Sequence, residues 1–295
     1  MTKVSKHQLF IIIVGLAILS LFLSFSLAPS GYLIFDMLSQ ANPILLISFL
    51  LISTLGVSHG ALDGKIIWDS GSKKNAFRLY FIYILISLLG LWIWFLSPTL
   101  GLFILLVISV IHFGLSDLLY IGNKSKYLKY SWGLAMTFLP ILFHPSSVNE
   151  IFYLLTNSNN INSSLSFLQY LSFINLIFLT IHILFNLAKS KDKIYFLLMG
   201  ELIVMIALAY YLHPLVWFGF YFCFLHGIRA LINYNFNFSS DILWLLLFTA
   251  PISLIIIILN LDFNANGFLV VFPILACLTI AHMLLPKIIQ FTKNN

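Results

Sequence analysis

LYFIYILISLLGLWIWFLSPTLGLFILLVISVIHFGLSD, residues 79–117, decides the fold. No Asp, Glu, Lys or Arg interrupts it before its last residue, Asp117. One crossing of a hydrocarbon layer takes about 20 apolar residues, so the stretch holds two. Pro98 falls between them, where a helix start accepts proline and a helix interior does not. The reading is two membrane helices joined by a tight turn, with His112 inside the second.

Working outward, similar windows fall at roughly 9–28, 43–62, 77–96, 99–121, 126–143, 166–188, 194–212, 214–233, 242–260 and 268–290. Apolar residues make up 61% of the 295-residue chain and charged residues 8%. Mean hydropathy is +1.04, far from soluble usage. The expected fold class is all-α: one polytopic transmembrane bundle of about ten helices over residues 1–295. The run from Leu9 to Ala28 exceeds a signal-peptide core and reads as a retained first helix. Cys223 and Cys277 stand alone in apolar stretches and support neither a disulfide nor a thiolate metal site.

Charge sets the expected orientation. With the N-terminus inside, all 15 Lys and Arg residues fall on one side, and the opposite loops carry Asp36, Glu150 and Asp262. Both termini are then cytoplasmic, and the cell (inner) membrane is the expected location. The net charge of +6 is spread over loops, so topology accounts for it and a nucleic-acid partner is not indicated. Segment 144–165 reads as a polar outer loop with a short helix at Ile151–Leu155.

Four histidines end up near one membrane face: His59 in GVSHGALD, His112 in VIHFGLSD, His226 in FCFLHGIRA and His282 in TIAHMLLP. Ionisable groups at membrane depth are costly and mark function. Imidazole is also the commonest metal ligand, so these four are the candidate metal ligands. Asp63 and Asp117 are the candidate catalytic carboxylates, acting by orienting imidazoles; Asp63 is placed to do so at i,i+4 from His59. Gly60, Gly64 and Gly114 permit close helix approach. Glu201 has three open roles: orienting a ligand, pairing with Arg229, or sitting protonated. His182 reads as structural, His7, His144 and His213 as solvated, and Arg229 and Lys65 as interface anchors.

Several imidazoles without thiolates suit Fe, Cu or Zn. Aromatic, apolar surroundings (29 Phe, 13 Tyr, 6 Trp) suit a lipophilic substrate arriving from the bilayer. A redox metal acting with O2 on a hydrocarbon is the leading chemistry. A carrier whose histidines relay protons or a metal, and bis-histidine haem electron transfer, are the rival classes.

SHGALD (58–63), HFGLSD (112–117), FYFCFLHGIR (220–229, with Gly219 before it reading GFYFCFLHGIR) and AHMLLP (281–286) resemble, in order and spacing, the Brp/Blh family of membrane β-carotene 15,15′-dioxygenases. The resemblance extends from about residue 43 over most of the chain. It implies Fe(2+) held by histidines, with His59, His112 and His226 at the ligand positions. It further implies cleavage of β-carotene by O2 into two retinal molecules, with a rhodopsin as the consumer. The family pattern carries another histidine four residues after the third, where this chain has Ala230. Three histidines with open positions, completion by His282 or His182, or impaired catalysis each remain compatible with that departure.

Overall fold

The computed structural model describes residues 2–27, 60, 62–158, 161–190, 192–247 and 265–294. Those residues are helical apart from short turns, with no strand among them. In chain order the helices are α1 (Lys3–Leu27), α2 (Asp63–Asp69), α3 (Lys73–Leu96), α4 (Pro98–Asp117), α5 (Lys126–Phe143) and α6 (Pro145–Thr156). They continue with α7 (Ile161–Ser190), α8 (Lys193–Tyr211), α9 (Pro214–Asn233), α10 (Phe238–Leu247) and α11 (Ala265–Asn294). Seven of them, α1, α3, α4, α7, α8, α9 and α11, are long and apolar enough to cross a bilayer, which makes this a multi-pass membrane protein. Most of the expected spans 43–62 and 242–260, and His59 with them, lie outside the described residues.

The turn that opened the reading is built as proline chemistry requires. Ser97 closes α3 through its backbone N–H to Ile93, and its side chain accepts from Leu100 N–H at the start of α4. Pro98 occupies the first helical position, where no N–H is needed. α4 then packs against α5 with almost no space between backbones. A Cβ on Gly114 would stand 2.0 Å from the Lys129 carbonyl oxygen, and one on Gly133 1.8 Å from that of Val110. No other residue type fits at this crossing, which fixes the height of His112 and Asp117.

α5 occupies the expected 126–143 and runs through the interior, with Trp132, Met136 and Leu139 fully buried. Phe81, Trp92, Phe95, Phe167 and Phe185 are exposed along α3 and α7, as lipid-facing side chains are. α6 contains the expected short helix Ile151–Leu155 and extends it back to Pro145. It starts on Pro145, ends on Asn157 in the left-handed region (φ 50°) and buries Val148, Phe152 and Leu155 beside Trp94 and Phe138.

Two expectations are corrected here. His7 is not solvated: it is 5% exposed and bonded inside the bundle. Arg229 is not an interface anchor: it is fully buried and ion-paired with Glu201, which settles the open role of that acid. Packing explains both: His7 and Gln8 follow an exposed first turn of α1 and are buried against Phe224 and Glu201, where Arg229 also pairs. Lys65 does sit at a helix end, one-third exposed and paired with Asp241.

Candidate metal centre

α9 does not run as a plain α-helix. Residues Tyr221–Gly227 form a π turn, a geometry common at functional sites because it redirects side chains. It carries His226 and Tyr221, both wholly buried, onto Asp117 at the end of α4. His226 Nδ1 lies 2.7 Å from Asp117 Oδ1. Tyr221 O–H and Trp132 Nε1–H both donate to Asp117 Oδ2, at 2.8 and 3.1 Å. One carboxylate thereby joins α4, α5 and α9.

A second clamp is built from α2 and α11. Asp63 opens α2, and its two oxygens each lie 2.9 Å from His282 Nδ1. Ile67, Ala76, Leu79 and Leu285 form the apolar cluster that holds these elements together. Gly60 faces His282 closely; a Cβ there would be 3.9 Å from its ring.

His112 stands between the two clamps. Its ring centroid is 5.0 Å from that of His226 and 5.0 Å from that of His282, edge-on to both. A carboxylate only accepts hydrogen bonds, so Nδ1 carries the proton in His226 and in His282. In its neutral form each ring then keeps its lone pair on Nε2. The His112 and His226 Nε2 atoms are 3.2 Å apart. Two nitrogens bound to one ion at about 2.1 Å, roughly at right angles, would be separated by about 3 Å. The donor set thus fits a divalent transition metal in kind, tautomer and spacing of this pair, and the carboxylate behind each ring is the usual companion of a metal-bound histidine. Among the described residues, no group of three or more His, Cys, Asp or Glu side chains converges as a finished ion site.

A profile of the β-carotene 15,15′-dioxygenase family matches residues 50–290. The chain belongs to that family. Within the dioxygenase family it is 31% identical, over 185 residues, to a β-carotene 15,15′-dioxygenase of an uncultured marine bacterium, 66A03. The match covers 61% of this chain and 65% of the relative, so the chain spans just under two thirds of that protein. No solved structure matches.

Of the residues singled out from the family motifs, the structure brings together His112, His226, His282, Asp63 and Asp117. The expected Asp63–His59 contact lies outside the described residues, and the described partners are distant in sequence. Asp117 serves His226, 109 positions away, and Asp63 serves His282, 219 positions away. His182 is elsewhere: its Nε2 is 3.0 Å from Ser125 Oγ, tying α7 to the start of α5. Ala230 is buried at 3% exposure. Trp132 and Tyr221 were not anticipated, since nothing local in sequence marks an aromatic N–H or O–H as a carboxylate partner.

Proposed function

We propose that this chain is an iron(II) oxygenase that uses O2 to split the central double bond of β-carotene. Two retinal molecules result, each keeping one oxygen atom, so the equation balances without another reductant. The observation that carries the reading is the pair of clamped imidazoles, His226 on Asp117 and His282 on Asp63, flanking His112 in a chain of this family. His112, His226 and His282 would hold the metal, with His59 of the SHGALD motif. His282 takes the place of the family histidine that Ala230 lacks. Iron bound there supplies the redox chemistry with O2.

The chain's own residues do the rest. Asp117 and Asp63 keep the Nδ1 protons of their histidines and so keep both Nε2 lone pairs directed inward. Phe113 lies edge-on to His226 at 4.8 Å between centroids, and Phe222 stacks on it at 5.8 Å. These rings exclude water and offer an apolar wall for a polyene entering from the bilayer. The depth of that wall would set which double bond reaches the site, since positioning controls regiochemistry. The cell membrane is the proposed location, with both termini cytoplasmic and a retinal-binding rhodopsin as the consumer.

Expression in cells that accumulate β-carotene tests the reading. The orange colour should fade while retinal appears in extracts. Colour that persists beside folded, iron-loaded protein rules out cleavage.

A further inference from the structure

The first helix lies before residue 50, where the family match begins, yet its second turn carries His7 and Gln8 to residues beside the candidate metal site. α1 packs tightly on α8: a Cβ on Gly15 would be 2.3 Å from Val204, and one on Gly200 2.8 Å from Ile12. That approach delivers two buried polar side chains, His7 and Gln8, to the centre of the bundle.

Their bonds run to residues that flank His226 and Asp117 in the chain, and to Glu201. Gln8 Nε2–H donates to Tyr120 O–H at 2.9 Å and to Glu201 Oε2 at 3.2 Å. Tyr120 follows Asp117 by three residues, and its ring lies 5.8 Å from the Arg229 guanidinium carbon. Glu201 holds the Arg229 guanidinium, which follows His226 by three residues. Arg229 Nε and Nη2 also lie 3.4 Å from His7 Nδ1. Guanidinium has no acceptor, so His7 Nδ1 must accept. His7 Nε2 then carries the proton and donates to the Phe224 carbonyl, 3.0 Å away, inside the π turn and two residues before His226. A buried ionic cluster seldom stabilises a fold more than apolar side chains of equal volume. What this one does is fix the backbone on both sides of His226 and the turn after Asp117.

We propose that His7, supported by Gln8, Glu201 and Arg229, is a positioning residue for the His226–Asp117 pair, making α1 an integral part of the metal centre. This rests on the metal reading above. Cobalt(II) is the probe: the full-length, metal-free protein in detergent is titrated, reading affinity by competition and ligand geometry by the visible d–d bands. His7→Leu should weaken cobalt binding by about tenfold or more and shift the bands, a loss typical of removing an outer-shell partner. His7→Gln places an amide N–H near the Nε2 position and should restore most of both. His182→Leu, which removes a half-buried histidine contact at Ser125, should leave the bands unchanged.

Wild-type affinity and bands in folded His7→Leu overturn the proposal, as does an equal shift in His182→Leu. Should His7→Leu fail to fold, His7→Asn, which mimics only the Nδ1 position, replaces it. Weaker binding than His7→Gln supports the proposal, and equal binding overturns it. Wild-type protein that takes up neither cobalt nor iron removes the metal reading itself. Wild-type uptake with His7→Leu unchanged removes only the role of α1.

Discussion

Asp117 and His226 meet at 2.7 Å, and neither side chain has any exposed surface. Asp117 also accepts from Trp132 and Tyr221, so three donors converge on one carboxylate. Asp117→Asn keeps the shape but replaces one acceptor oxygen by an NH2. If the remaining oxygen serves His226, the Trp132 N–H is left without an acceptor. An unpaired buried donor costs about 1–3 kcal/mol, and loss of a metal-bound histidine's carboxylate costs about 10–100-fold in metal affinity. Asp117→Asn should therefore melt earlier and carry less iron by elemental analysis. Full iron loading in this variant would remove the clamp from the argument.

The two histidines offered as completing the site have separable consequences. His282 is bonded to Asp63 and edge-on to His112, whereas His182 is bonded to Ser125. His282→Ala should lower iron content and abolish retinal production. His182→Ala should keep its iron and lose at most the ordinary stability of one interhelical bond, about 1 kcal/mol. The reverse pattern would make His182 the ligand. Asp63→Ala should fall between them, with iron affinity down by roughly tenfold.

How much of this was legible beforehand follows from the physics of each feature. Apolar length and loop charge are local, and α3, α4, α5, α8 and α9 appear within a few residues of their expected bounds. The chemistry-bearing residues were legible too, because a buried imidazole or carboxylate is costly wherever it sits. Pairing was not. Asp63 looked like the partner of His59 because i,i+4 is the one contact that sequence spacing reveals. Its described partner, His282, is chosen by the packing of α2 against α11. The π turn was equally hidden, since FYFCFLHGIR has an α-helical composition. Arg229 and His7 looked like surface residues because the loops near them are charged, and only the close packing of α1 on α8 shows otherwise.

Ala230 gives a direct test of how the ligand set is completed. The position is only 3% exposed, so an imidazole there has to displace its neighbours. Overpacking of a filled site costs about 1–3 kcal/mol. If His282 completes the proposed set, Ala230→His should melt earlier and show no gain in iron stoichiometry or retinal yield. A rise in both would mean that the family histidine, and not His282, is what the site lacks.

On α10, where Lys65 of α2 meets it, Asp241 carries a pH dependence that can be read separately. The backbone N–H of Asn237 donates to Asp241 at 2.9 Å, Ser240 O–H at 2.8 Å, and Lys65 pairs with it. The Asn237 N–H first, with Lys65 adding to it, holds the carboxyl down at about 2. A depressed carboxylate contributes stability above its unfolded value, about 3.9, and loses it as pH falls through the folded value. The anchoring of α10 should therefore be constant from pH 7 to about pH 4 and weaken from there toward pH 2. Lys65 is 34% exposed, so its share is screened and worth at most about 1 kcal/mol. Asp241→Asn also weakens the bond that caps α10 and should cost more, about 0.5–2 kcal/mol. Hydrogen-exchange protection over residues 238–247 at pH 7 should fall further in Asp241→Asn than in Lys65→Met, and the opposite order would make the ion pair, not the cap, the anchor.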